Sequence, residues 1–132
     1  DKIIPNSNIS ITSQCLRVPV TDGHTAAVFA SFKNKISPEI AIEKLKNFKG
    51  HEKSRNLPSS TSQFITYFED SSRPQIKLDR NIEKGMGIAV GRIRNDSQYD
   101  LKFVCMSHNT VRGAAGGAIL LAEMLCREGY IS

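Results

Sequence analysis

Two apolar runs, MGIAVGRIRN and LKFVCM, meet at the turn-rich stretch NDSQYD in the second half of the chain. Short apolar runs bounded by Asn, Asp and Ser read as two strands of a hairpin, the first of them an inner strand preceded by Gly85 and Gly87. A hairpin with an inner strand needs further strands beside it and cover on its faces, so this pair constrains everything else the chain must provide.

Upstream, ISITSQCLRV alternates, with Ile9, Ile11 and Ser13 on one side, and predicts a strand that ends at Pro19 and the turn Thr21–Gly23. HTAAVFASFK resumes the alternation, with Ala26, Val28 and Ala30 on one face and Ala27, Phe29 and Ser31 on the other, which suggests a hairpin or neighbouring strands. Ser37, Pro38 and Glu39 signal a helix start, because the hydroxyl caps a free amide and proline suits the first helical position. An apolar stripe of Ala41, Ile42, Leu45 and Phe48 follows, and Gly50 supplies the stop. His51 to Ser62 is a polar loop containing Pro58, and short strands are expected at FITYF and around IKLD. The ending SHNTVRGAAGGAILLAEMLCREGYI predicts a long helix with Val111, Ala114, Ala115, Ala118, Leu121, Ala122 and Leu125 on its packed face and Gly129 at its end. Strands mixed with two helices make this an α+β domain, residues 1–132, with a mixed, largely antiparallel sheet covered by helices.

The 132 residues suffice for one core. A net charge of +5, from 18 Lys and Arg against 13 acids, favours anionic partners in general. Only KNFKGHEKSR concentrates the basic residues, and it reads as a solvated helix end and loop, so no nucleic-acid partner is expected. No apolar run is long enough to cross a bilayer and no signal-peptide pattern opens the chain, so a soluble protein without a membrane partner is expected. Cys15, Cys105 and Cys126 form no CxxC or metal-ligand spacing, which fits a reducing cytoplasm and no metal. Each has apolar neighbours and is expected to be a buried small hydrophobe, not a nucleophile.

The chemistry concentrates in QCLRVPVTDGH, where Arg17 and His24 stand seven residues apart, across what reads as a strand, a turn and a second strand. A guanidinium grips a carboxylate through two charge-assisted hydrogen bonds and an imidazole moves protons near neutral pH, so the pair describes a site for an acidic substrate. On residue type and spacing alone, Arg17 reads as a strand-end salt-bridge residue and His24 as a turn residue or hydrogen-bonded structural histidine. GAAGGA lacks the GxGxxG spacing of a dinucleotide loop and reads as close helix packing, although amides at His108 to Thr110 are placed to face a ligand. Asn109 is placed to cap the helix that begins near Val111, and His51 and His108 read as structural or solvated.

QCLRVPVTDGHTAAV, RPQIKLDRNIEKGMGIAVGRIRND and SHNTVRGAAGGAILLAE together resemble the C-terminal part of the aspartate-semialdehyde dehydrogenase family, in its archaeal and fungal branch. The resemblance implies a catalytic and dimerisation domain similar to those of glyceraldehyde-3-phosphate-dehydrogenase-like enzymes. The parent enzyme reduces L-aspartyl 4-phosphate to L-aspartate 4-semialdehyde and phosphate, as a homodimer or higher oligomer. NADP would be bound mainly by an N-terminal domain absent from this chain. By the same resemblance Arg17 grips the substrate α-carboxylate, His24 is the general acid and base, and Asn109 contacts the nicotinamide. The Asn-Cys segment that carries the thiol, the glycine-rich nucleotide loop and the phosphate-binding residues have no match, so the chain alone is expected to be an inactive fragment. Ala26 departs from the family's frequent Glu two residues after the histidine. Malonyl-CoA reductases of the same branch, or a noncatalytic dimerisation module, are the alternatives.

Overall fold

The computed structural model describes residues 8–131, so the expectations for the opening residues 1–7 lie outside the described residues. A four-stranded sheet forms the centre, built from β1 (His24–Ala30), β2 (Ile65–Phe68), β3 (Ile88–Asn95) and β4 (Leu101–Ser107) in the order β1-β4-β3-β2. β1 with β4 and β4 with β3 are antiparallel, and β2 joins β3 in parallel. The hairpin is therefore the middle of the sheet, as its apolar content requires. Its turn is held by Asp96, whose carboxylate accepts from the amides of Gln98 and Tyr99 at 2.9 and 3.1 Å and pairs with Lys102 at 2.8 Å.

Helix α1 (Pro38–Lys46) starts where the sequence places it, with the Ser37 hydroxyl accepting from the amide of Ile40 at 3.4 Å. It ends at Asn47, and Gly50 takes up its left-handed conformation three residues later. Ala41, with Ile42 and Leu45 beside it, packs on Ile65, Val90, Ile93 and Leu101, which is the main core. Val90 and Ile93 are three apart and reach the same side because a β-bulge between Gly91 and Arg94, with Arg92 at φ 60°, inserts an extra residue. On the opposite face, Gly91 lets the Arg73–Pro74 backbone cross directly over the strand. A Cβ there would stand 2.5 Å from the Arg73 carbonyl oxygen.

IKLD is not a strand. Residues Ile76–Asp79 form the single-turn helix α2, because the fully buried Asp79 carboxylate reaches back to accept from the Gln75 amide at 2.6 Å and is gripped at both oxygens by Arg73. Arg73 holds that carboxyl below the usual range, with the Gln75 amide assisting against the cost of burial.

ISITSQCLRV is not a strand either. Residues 9–18 pair with no element among the described residues and are exposed, since alternation sets which side chains share a face but supplies no neighbour for the backbone.

The last helix divides in two. Val111–Ala115 is a π-helical turn, with Gly113 and Ala115 amides bonded five residues back, and α3 (Gly116–Arg127) follows. Gly129 ends it: its amide bonds the Cys126 carbonyl and that of Tyr130 bonds Leu125, the arrangement a left-handed glycine permits. The packed face is rotated from the predicted one, of which Val111 and Leu125 are half-buried. Ala114, Ala115, Ala118, Leu121 and Ala122 are exposed, and Gly116, Leu120, Glu123 and Met124 are half-buried instead. Polar anchors set that rotation: Glu123 accepts from the amide and hydroxyl of Ser59 at 3.0 and 2.7 Å, and Arg127 donates to the carbonyls of Lys53 and Arg55. Gly116 lies so close to Met86 and Val111 that a side chain would collide with them.

Of the cysteines, Cys15 and Cys126 are exposed, contrary to the expectation from their neighbours, because both lie on elements that the rest of this chain leaves uncovered. Cys105 is half-buried beneath α1, and desolvation raises its thiol pKa.

Candidate functional site

The register brings His24, Ser107, Ile88 and Ile65 into one row across the sheet, so His24 lies at the end where β4 runs into the last helix. The turn before it is tied to that helix start at two points. The Gly23 amide donates to Asn109 Oδ1 at 2.7 Å, and the Thr110 hydroxyl donates to Asp22 at 3.5 Å while lying 3.2 Å from Nδ1 of the buried His108. Gly23 stands at φ 106°, and a side chain there would meet Ile76 at 2.9 Å. Glycine is thus required by both the backbone angle and the space, and the turn has little freedom between Ile76 and Asn109.

Asn109 does not cap the helix. Thr110 occupies the cap position, with no side-chain bond to the turn above it. Because Asn109 Oδ1 must face the Gly23 amide, its Nδ2 points elsewhere and has no partner among the described residues. His24 is exposed, with its imidazole free of hydrogen bonds and ion pairs among the described residues.

The structure ties Asn109 to Gly23, the residue before His24, and forms no bond from Arg17 to either among the described residues. Arg17 is exposed on the unpaired segment, and no hydrogen bond or ion pair joins it to His24 or to any other described residue. Its place at a strand end is overturned with the strand itself. Sequence reading missed Asp22, Gly23 and Thr110 as the residues that set the histidine's position; the TDG turn was legible, but its tie to a helix start 86 residues away was not. Neither His51 nor His108 joins the site: His51 is exposed and caps the Lys53 amide through Nδ1, and His108 is buried against Thr110. No group of three or more His, Cys, Asp or Glu stands close enough to hold a metal among the described residues. Among those residues, too, no helix is long and apolar enough to cross a membrane.

A family model described as semialdehyde dehydrogenase, dimerisation domain, matches residues 1–112. The chain belongs to that family. Within it, aspartate-semialdehyde dehydrogenase of Archaeoglobus fulgidus is 43% identical over 95% of this chain and 35% of its own length. Among solved structures, aspartate semialdehyde dehydrogenase with NADP from Candida albicans superposes with a TM-score of 0.77 at 40% identity, over 87% of this chain and 33% of that one. The aspartate semialdehyde dehydrogenase II of Vibrio cholerae, complexed with ASA, gives a TM-score of 0.68 at 27% identity, over 85% of this chain and 29% of that one. The chain spans about a third of the length of the relatives it matches. The family's α+β architecture and the sheet described above agree.

Proposed function

We propose that this chain is the catalytic and dimerisation part of an NADPH-dependent aspartate-semialdehyde dehydrogenase, acting in the cytoplasm in biosynthesis of the aspartate-derived amino acids Lys, Thr and Met. The observation that supports the reading is the bond from the Gly23 amide to Asn109 Oδ1, which fixes the backbone before His24 and leaves the Asn109 amide nitrogen without a partner among the described residues, in a chain of the matching family. The substrate is L-aspartyl 4-phosphate, and phosphate and the semialdehyde are the products. The names carried by the relatives favour this acyl group over malonyl-CoA.

Arg17 supplies the fixed fork that pairs with the substrate carboxylate and orients it. A guanidinium with no partner among the described residues carries no bond to them that substrate must break first. His24 accepts a proton at an imidazole nitrogen when the attacking thiol is activated and gives it to the carbonyl oxygen as the thioester carbon is reduced. The thiol belongs to sequence outside this chain. NADPH supplies the hydride when bound, and the unpartnered Nδ2 of Asn109 fits a cofactor carboxamide oxygen as acceptor, while most of the nucleotide is held by an N-terminal domain.

The test uses the complete polypeptide. His24→Asn should lower kcat by about 10²–10⁴-fold with folding intact, the usual worth of a positioned acid–base group. Arg17→Leu should raise KM for aspartyl phosphate, with less effect on the KM for NADPH. A His24→Asn enzyme of unchanged kcat would overturn the assignment. The isolated chain should dimerise yet show no NADPH oxidation with aspartyl phosphate, and turnover by the pure chain would refute its reading as part of a larger enzyme.

A further inference from the structure

Three cationic side chains meet where the loop after α1 approaches the last helix, and no carboxylate lines the space between them. A groove of about 440 Å³ is bordered by Lys49, Arg55, Ser60, Thr61 and Phe64, and an adjoining inner recess, walled by the same residues, is closed by Arg112. Arg112 is the informative member. It sits in the first turn of the last helix, where the helix dipole disfavours a cation, and it is half-buried. Its contacts are the Phe64 ring, 4.4 Å from the guanidinium carbon, and one 3.4 Å bond to the Met86 carbonyl. Desolvation pushes its pKa below the usual arginine value, with no neighbouring acid to offset the cost.

The nearby acids are committed elsewhere. Glu83 accepts from the amide and hydroxyl of Ser62, Glu123 from those of Ser59, and Glu128 pairs with Lys53 at 2.5 Å. Lys49 has no hydrogen-bond or ion-pair partner among the described residues, and Arg55 spends one bond on the Gly50 carbonyl. Lys46 and Lys102, by contrast, are paired with Glu69 and Asp96. Three cations thus gather, with no acid among them, around one concave space that also holds the Thr61 hydroxyl.

We infer that this groove binds a small phosphate-bearing anion through Lys49, Arg55 and Arg112, with the hydroxyl of Thr61 as a further donor. Two Arg forks and an ammonium match a compact group with three acceptor oxygens and up to two charges. A nucleic acid would need a continuous basic track, and a single carboxylate would leave most of these donors unanswered. The inference stands on this groove alone and goes beyond the chemistry proposed at His24.

The test is an amide NMR titration of the complete polypeptide with inorganic phosphate, methyl phosphate and acetate as parallel probes. Saturable shifts at Ser60, Thr61 and Arg112, stronger with either phosphate than with acetate, are expected, and the tighter of the two phosphates tells whether the free ion or an ester is the ligand. The exposed pair Lys49→Ala/Arg55→Ala should weaken that binding by about tenfold or more. Arg112→Lys, which retains charge, should weaken it less than Arg112→Gln. Phosphate binding at the proposed catalytic site would be read separately, at Gly23 and Asn109, and should survive the Lys49→Ala/Arg55→Ala change. Absence of saturable shifts in the groove, an equal response to acetate, or unchanged affinity in Lys49→Ala/Arg55→Ala would overturn the inference.

Discussion

Helices α1 and α3 solve the same problem in opposite ways. The first is the more polar in sequence, yet it is fastened by its apolar residues, with Ala41 buried and Ile42 and Leu45 packed on the sheet. The second is the more apolar, yet none of its residues is buried, Ile119 and Leu121 are half exposed, and it is held by Glu123 and Arg127 to the backbone of the loop 51–60. An apolar stripe therefore tells how a helix would be buried, and only a facing surface tells whether it is.

The comparison is broken most decisively by a matched pair of truncations. Leu101→Ala, in the core beneath α1, should destabilise this chain by about 2–5 kcal/mol in urea denaturation, whereas Leu121→Ala on α3 should stay within about 0.5 kcal/mol. Equal losses would mean that α3 is packed as α1 is. Next in size is Glu123→Gln, which replaces two charge-assisted bonds to Ser59 by weaker ones and should cost about 1–2 kcal/mol. Amide exchange in the loop 51–60 should accelerate in that variant; unaltered exchange there would show that the polar anchor does not hold α3. Ser37→Ala removes the cap of α1 and should cost about 1 kcal/mol, with helix fraying confined to its first turn.

The smallest effect concerns the turn of the β3–β4 hairpin. Lys102 and the amides of Gln98 and Tyr99 lower the Asp96 pKa from 3.8 to about 2. A carboxyl depressed in the folded state contributes stability above its unfolded pKa, and that contribution is lost as pH falls from about 4 to about 2. Asp96→Asn should flatten the acid limb of the stability profile in that window, and an unchanged limb would assign acid sensitivity to other carboxylates, Asp79 first.

What was legible in the sequence was local. The β3–β4 hairpin, β1, β2, the Ser37 cap and the glycine stop after α3 each rest on neighbours within a few residues, so alternation, capping and turn chemistry sufficed. The errors arose where a distant partner decided. Residues 9–18 alternate like a strand but meet no strand, and IKLD becomes a helical turn because Asp79 is claimed by Arg73 and the Gln75 amide. For the site, His24 and Asn109 were nameable as residue types in matching stretches, while the bond that ties Asn109 to Gly23, the residue before His24, across 86 positions was not.

The sequence by itself therefore determined the family, the mixed sheet and the identity of the chemically able side chains, because those follow from residue order and short-range pattern. Tertiary structure alone decided which of them meet, which face of α3 turns inward, and that Lys49, Arg55 and Arg112 share one groove. The reason is physical: periodicity and capping act over a turn or two of backbone, whereas a buried hydrogen bond or an unpaired charge depends on what the fold carries to it from elsewhere.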